Sequence, residues 1–180
     1  MKIVNRFFDD FCVLDLSIRN DHRGSMRVTF SQSEISRIPV DFLIAEQRIY
    51  TIPDAGTFFG IHFQDTAHPQ AKLVSVIQGE GIDYVVDLRP DSATFRQWKA
   101  VLLNGIAPQA VYIPAGFGHA FLSTKDNTIQ LFAVNEQLVD GCMRRIHYLD
   151  EDIGLQLPVS NPVLSDADRA APTLAQIMSR

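Results

Sequence analysis

The sequence predicts an all-β chain whose strands stack as two sheets or close into a barrel. Three observations carry this. Apolar residues recur at every second position in short runs of four to seven residues. Turn-forming residues separate the runs at roughly 8–12-residue spacing. Helical periodicity is weak from end to end.

The runs justify themselves in order. Cys12–Ile18 alternates apolar and polar side chains, and Met26–Phe30 repeats the pattern. Phe42–Ala45 and Thr57–Phe63 follow. Lys72–Ile77 and Ile82–Leu88 flank Gln78-Gly-Glu-Gly81, a turn rather than a phosphate loop, because no Lys-Ser/Thr or helix follows it. The later runs are Trp98–Leu103, Ala110–Ile113, His119–Ser123, Thr128–Val134 and Met143–Tyr148. Between them stand Gly24, Pro53, Gly56, Pro90, Gly105 and Pro114, residues that punctuate strands. Ile35 and Thr173–Met178 each mark one or two helical turns. The Pro-, Ser- and Asp-rich stretch from Pro158 to Pro172 is expected to cross the surface, and Asp150-Glu-Asp152 reads as a solvated turn.

Composition narrows the role. The 180 residues suit one domain over 1–180, and 46% hydrophobic content is enough for a core. No apolar run approaches the roughly 18 residues of a membrane helix. The start, Met1 to Phe11, carries acidic residues where a signal peptide needs its apolar region. A net charge of −5 offers no basic field to a nucleic-acid backbone. Cys12 and Cys142 match no zinc spacing, so a cytoplasmic protein with reduced thiols is expected.

Two segments carry chemistry. Gly56-Thr-Phe-Phe-Gly-Ile-His62-Phe-Gln64 and Pro114-Ala-Gly-Phe-Gly-His119-Ala-Phe-Leu-Ser123 resemble the two half-motifs of the cupin jelly roll, a double-stranded β-helix. Alternate strand residues share a face, so His62 and Gln64 point the same way. A metal-binding cupin carries His-x-His and a following Glu. Here Gln64 takes the place of the second His and no Glu follows, so no metal site is expected. His22, His68 and His147 lack such a context and read as ordinary histidines.

The likeness is closer than the superfamily. From about Phe7 to Leu174 the chain resembles the dTDP-4-dehydrorhamnose 3,5-epimerase family. The matching blocks are Asp21-His-Arg-Gly24, Gly60-Ile-His-Phe-Gln64, Pro69–Val74, Val86-Asp-Leu-Arg89, Ile113–Phe121, Asp152-Ile-Gly154 and Asn161–Asp168. The resemblance implies proton transfer next to the C4 ketone of a 4-keto-6-deoxy sugar nucleotide, dTDP-linked, with no dissociable cofactor. Such chemistry needs a base, an oxyanion stabiliser and an acid on the opposite face. By resemblance His62 is the base, a task suited to an imidazole whose unperturbed pKa is about 6.5. Asp168 orients it and Lys72 faces the ketone oxygen. His119, Arg23 and Gln47 hold substrate, with Phe59 and Phe132 in the pocket wall. A homodimer and a place in deoxysugar pathways are also implied.

The departures from the family pattern share one direction. Phe132 stands where the family has the tyrosine that donates a proton, and Leu138 replaces a second tyrosine. Phe59 replaces Arg, Val28 Glu, Ile49 Asn and Met143 Glu, which gives a drier pocket. Tyr50, Tyr112 and Tyr148 fall near pocket strands, whereas Tyr84 reads as packed. Two other readings stay open: a sugar-nucleotide-binding cupin with reduced turnover, and a metal-dependent cupin enzyme.

Overall fold

The computed structural model describes residues 1–8, 10–37, 40 and 42–179. Period-two patterning becomes two facing antiparallel sheets. One joins, in spatial order, β1 (Lys2–Phe7), β2 (Phe11–Asp15), β10 (Gln109–Ile113), β7 (Lys72–Gln78), β12 (Thr128–Val134) and β5 (Glu46–Ile52). The other joins β13 (Met143–Arg145), β6 (Phe58–Gln64), β11 (Phe117–Ser123), β8 (Glu80–Asp87) and β9 (Trp98–Asn104). This is the jelly-roll architecture that the half-motifs suggested. A separate hairpin of β3 (Ile18–Asp21) and β4 (Gly24–Arg27) is exposed along almost its whole length. No helix among the described residues is long and apolar enough to cross a membrane.

Side-chain alternation sorts the apolar residues into three layers. On β8 and β11, Val85 and Phe121 point between the sheets, where they meet Val74, Val76 and Val111. Their neighbours Tyr84, Val86, Ala120 and Leu122 point outward and are covered by Ile153, Leu155 and Leu174 of the C-terminal segment. Behind the six-stranded sheet, Cys12, Leu14 and Tyr112 are roofed by Ile35 and Phe42. Because both faces are covered, Phe11–Leu14 and Lys72–Val76 are buried at every position, not at every second one.

Several expectations change. β1 and β5 are strands that the patterning did not pick out. Cys12–Ile18 is divided between β2 and β3. Phe42–Ala45 forms no strand. Phe42 instead caps a core layer, its ring edge-on to Tyr112 at 5.8 Å. Among the described residues there are three short helices, one more than the two spots the sequence marked: α1 (Gln32–Ile35), α2 (Asp166–Arg169) and α3 (Leu174–Met178). α2 arises within the stretch read as irregular, because Ser165 accepts from the Asp168 N–H and caps the turn. Asp150 is not solvated. It is 3% exposed and accepts from Ile153 N at 3.0 Å and Leu174 N at 2.7 Å, which ties α3 to the body.

A bulge on β6 aims the site. His119 pairs with His62 and Phe121 with Phe59, so two steps on β11 oppose three on β6. In a regular strand Phe59 and His62 would face opposite ways. The extra residue brings both to one side. Gly60 sits in this bulge at φ +128°, and a Cβ there would lie 2.4 Å from the Ala120 Cβ. Gly60→Ala is therefore expected to destabilise the fold by roughly 2–4 kcal/mol, combining backbone strain with overpacking. Urea unfolding checks this; an unchanged midpoint would refute it.

Candidate active site

A cavity of about 160 Å³ opens between the two sheets. Phe59, His62, His119 and Met143 line it from the five-stranded sheet. Arg48, Tyr50, Lys72, Gln130 and Phe132 line it from the six-stranded sheet.

The cavity is polar at two points and apolar between them. His62 Nε2 lies 2.6 Å from Asp168 Oδ1. An ionised carboxylate only accepts, so Nε2 carries the hydrogen and Nδ1 keeps the free lone pair. Asp168 comes from α2 rather than from either sheet and is 3% exposed. Burial pushes its carboxyl up, but hydrogen bonds from His62, Ser165 and the Gly60 N–H outweigh that, and it sits below the usual carboxylate range. Arg145 Nε stands 3.5 Å from the same oxygen.

The second polar point is deeper. Lys72 is 3% exposed, and its ammonium donates to the His62 carbonyl at 2.9 Å. Burial pulls its pKa down from 10.5 to about 8, against the pull of the Asp83 carboxylate. His119 Nε2 lies 2.6 Å from Asp83 Oδ1. Burial lowers the His119 pKa, partly offset by Asp83, with Lys72 and His62 adding to the depression. Asp83 Oδ2 and Gln130 Nε2 are buried without a hydrogen-bond partner. Buried polar atoms are nearly always satisfied, so the Gln130 amide, which lines the cavity, is a contact available to a ligand or water.

Of the residues singled out in the sequence, His62, Lys72, His119, Phe59 and Phe132 surround the cavity, and Asp168 supports it through His62. Arg23 and Gln47 are outside its wall. Arg23 is exposed on the β3–β4 hairpin, bound to Asp21 at 2.6 Å. Gln47 is exposed on the face of β5 opposite Arg48 and Tyr50. Gln64 has its amide occupied: it donates to His68 O and Gln137 O and accepts from Val139 N. No group of three metal-ligating side chains occurs among the described residues.

Arg48, Asp83 and Gln130 were not among the expected site residues, and Tyr50 was expected only near the pocket strands. For Asp83 a signal existed, since a carboxylate inside the apolar run Ile82–Leu88 is unusual for a strand. The others depend on cross-strand register. Tyr50 pairs with Gln130, and Arg48 with Phe132.

Comparison with known proteins gives the family. The family model described as dTDP-4-dehydrorhamnose 3,5-epimerase matches residues 7–176. A dTDP-4-dehydro-6-deoxyglucose 3-epimerase from Streptomyces bikiniensis is 34% identical over 160 residues, covering 88% of this chain and 81% of that protein. The crystal structure of a dTDP-4-dehydrorhamnose 3,5-epimerase from Bacillus anthracis, with TDP and PPi bound, superimposes with a TM-score of 0.93. It is 31% identical, covering 96% of this chain and 99% of the other. A 3'-monoepimerase from Streptomyces bikiniensis in complex with dTDP-quinovose gives a TM-score of 0.87 at 32% identity, covering 94% and 86%. With nearly the whole chain matched by the family model, this protein belongs to the dTDP-4-dehydrorhamnose 3,5-epimerase family.

Proposed function

We propose that this chain is a nucleotide-sugar epimerase that inverts a carbon flanking the C4 ketone of a dTDP-linked 4-keto-6-deoxy sugar. The observation that carries this is the His62–Asp168 pair reaching the cavity beside the Lys72 ammonium. His62 Nδ1 takes the hydrogen from carbon, and the electron pair moves onto the ketone oxygen as an enolate. Lys72 stabilises that oxyanion, and Asp168 steadies the imidazolium that forms. The neutral-leaning His119 and the unpartnered Gln130 amide contact sugar oxygens. Phe59, Phe132 and Met143 keep the pocket dry, which strengthens each electrostatic contact. The sugar ring fills the cavity, and the nucleotide diphosphate lies across its mouth.

Solvent deuterium incorporation tests this reading. dTDP-4-keto-6-deoxyglucose incubated with the protein in D2O should gain deuterium at C3, at C5 or at both, as read by proton NMR. A protein that binds the compound yet exchanges neither position would contradict it. Asp168→Asn should lower turnover about 5–30-fold. That is the gap of ~1–2 kcal/mol between a charge-assisted hydrogen bond and a neutral one. An unchanged rate would show that Asp168 only packs.

The proposed working unit is a homodimer in the cytoplasm. The sheet edges at β1 and β5 and the exposed β3–β4 hairpin, which carries Arg23, support a partner copy. The unpaired Cys12 and Cys142 suit a reducing compartment.

A further inference from the structure

Inversion needs two proton-transfer groups on opposite faces of the reacting carbon. The first is His62. By the resemblance, the family's second is a tyrosine where Phe132 stands, and Phe132 has no hydroxyl to give. The structure shows where another phenol has gone. Tyr50 and Phe132 lie on neighbouring antiparallel strands and on the same face, two positions apart in the register. Such diagonal neighbours are about 7–8 Å apart, within reach of aromatic side chains. Their rings meet edge-on at 6.0 Å, and Tyr50 meets Phe59 edge-on at 5.7 Å.

The other tyrosines face elsewhere. Tyr112 packs behind the six-stranded sheet, and Tyr84 and Tyr148 belong to the layer outside the five-stranded sheet. Tyr50 alone among them lines the cavity, and it does so from the wall opposite His62. The remaining acids are badly placed or occupied. His119 is cross-strand from His62 on the same sheet, so it approaches from the base's own side. Lys72 is committed to the oxyanion in the reading above. Arg48, two residues from Tyr50 on the same face, pairs with Glu46 and neighbours the phenol oxygen.

We propose that Tyr50 is the catalytic acid of this chain, donating its phenolic proton to the carbon face opposite His62. The inference rests on the epimerase reading. His62 breaks the C–H bond and becomes imidazolium, while the electron pair passes to the ketone oxygen. The enolate then collapses, and its carbon takes the hydrogen from the Tyr50 O–H. This re-forms the ketone and leaves a phenolate. One proton passing from imidazolium to phenolate through solvent restores the enzyme.

The test compares wild type and Tyr50→Phe on dTDP-4-keto-6-deoxyglucose in D2O, following exchange and configuration separately by NMR. Inversion should fall by about 10²–10⁴-fold in the variant, the usual effect of removing a general acid. Exchange with retention should persist, because His62 can return a deuteron to the face it attacked, and that exchange also reports an intact fold. Inversion within about threefold of wild type would overturn the assignment. So would the loss of exchange along with inversion, which would mark Tyr50 as a packing or binding residue. A wild type that neither exchanges nor inverts would instead overturn the epimerase reading, and this inference with it.

Discussion

His62→Ala should abolish deuterium exchange and inversion together, by about 10⁴-fold, the upper end for a general base with no substitute nearby. The reason is geometric. Lys72 bonds to the His62 backbone carbonyl, which the substitution keeps, so the ammonium stays in place. Asp168 loses its partner imidazole but keeps Ser165, the Gly60 N–H and nearby Arg145. The cavity remains and the lone pair disappears. Substrate affinity should therefore change little while turnover collapses. Exchange that survives in the alanine variant would mean that another group is the base, with His119 the first to examine.

Lys72 gives the second large effect. Lys72→Met should lower turnover by about 10²–10³-fold, as when one oxyanion donor is removed from a dry site. The wild type carries a matching pH signature. In the proposed reaction the ammonium stabilises the enolate only while it is charged, and burial has brought its pKa to about 8. Turnover should therefore decline as pH rises through about 8, and the residual rate of Lys72→Met should lack that decline. The same burial acts on stability in the opposite sense. Between about 8 and 10.5 the unfolded chain binds a proton at this lysine that the folded chain does not, so this group's contribution to stability rises with pH. The interval corresponds to about 3 kcal/mol that the fold gives up at neutral pH to hold a charge in its interior. A turnover profile flat to pH 10 would refute the assignment.

Much of the barrel was legible because period-two patterning is local. Val74, Val85 and Phe121 announce an inward face without any knowledge of the partner strand. The elements that were missed lack that contrast. β1 is mostly exposed, and β5 alternates between residues such as Arg48 and Ile49 whose hydropathy opposes their placement. In β5 Arg48 and Tyr50 line the cavity and Ile49 faces outward, 63% exposed. His62 and His119 could be found because each sits in a short recognisable block. Asp168 was reached through resemblance alone, since nothing in a tail segment says that it meets a strand 106 residues away. Tyr50, Arg48 and Gln130 come together only through the pairing of β5 with β12, and register is invisible to one-dimensional reading. The Gly60 bulge hid in the same way: an odd spacing between Phe59 and His62 argues for opposite faces until the extra residue is seen.

Asp168 belongs to neither sheet. Its segment is moored by the Thr57–Val163 bridge upstream and by Asp150 holding the first turn of α3 downstream. The barrel thus supplies the imidazole, while a segment packed on its outer face supplies the carboxylate that tunes it. Displacing α2 would part the carboxylate from the imidazole without unpairing a strand of either sheet. Heat or denaturant should silence this protein at doses that leave its β-sheet signal intact.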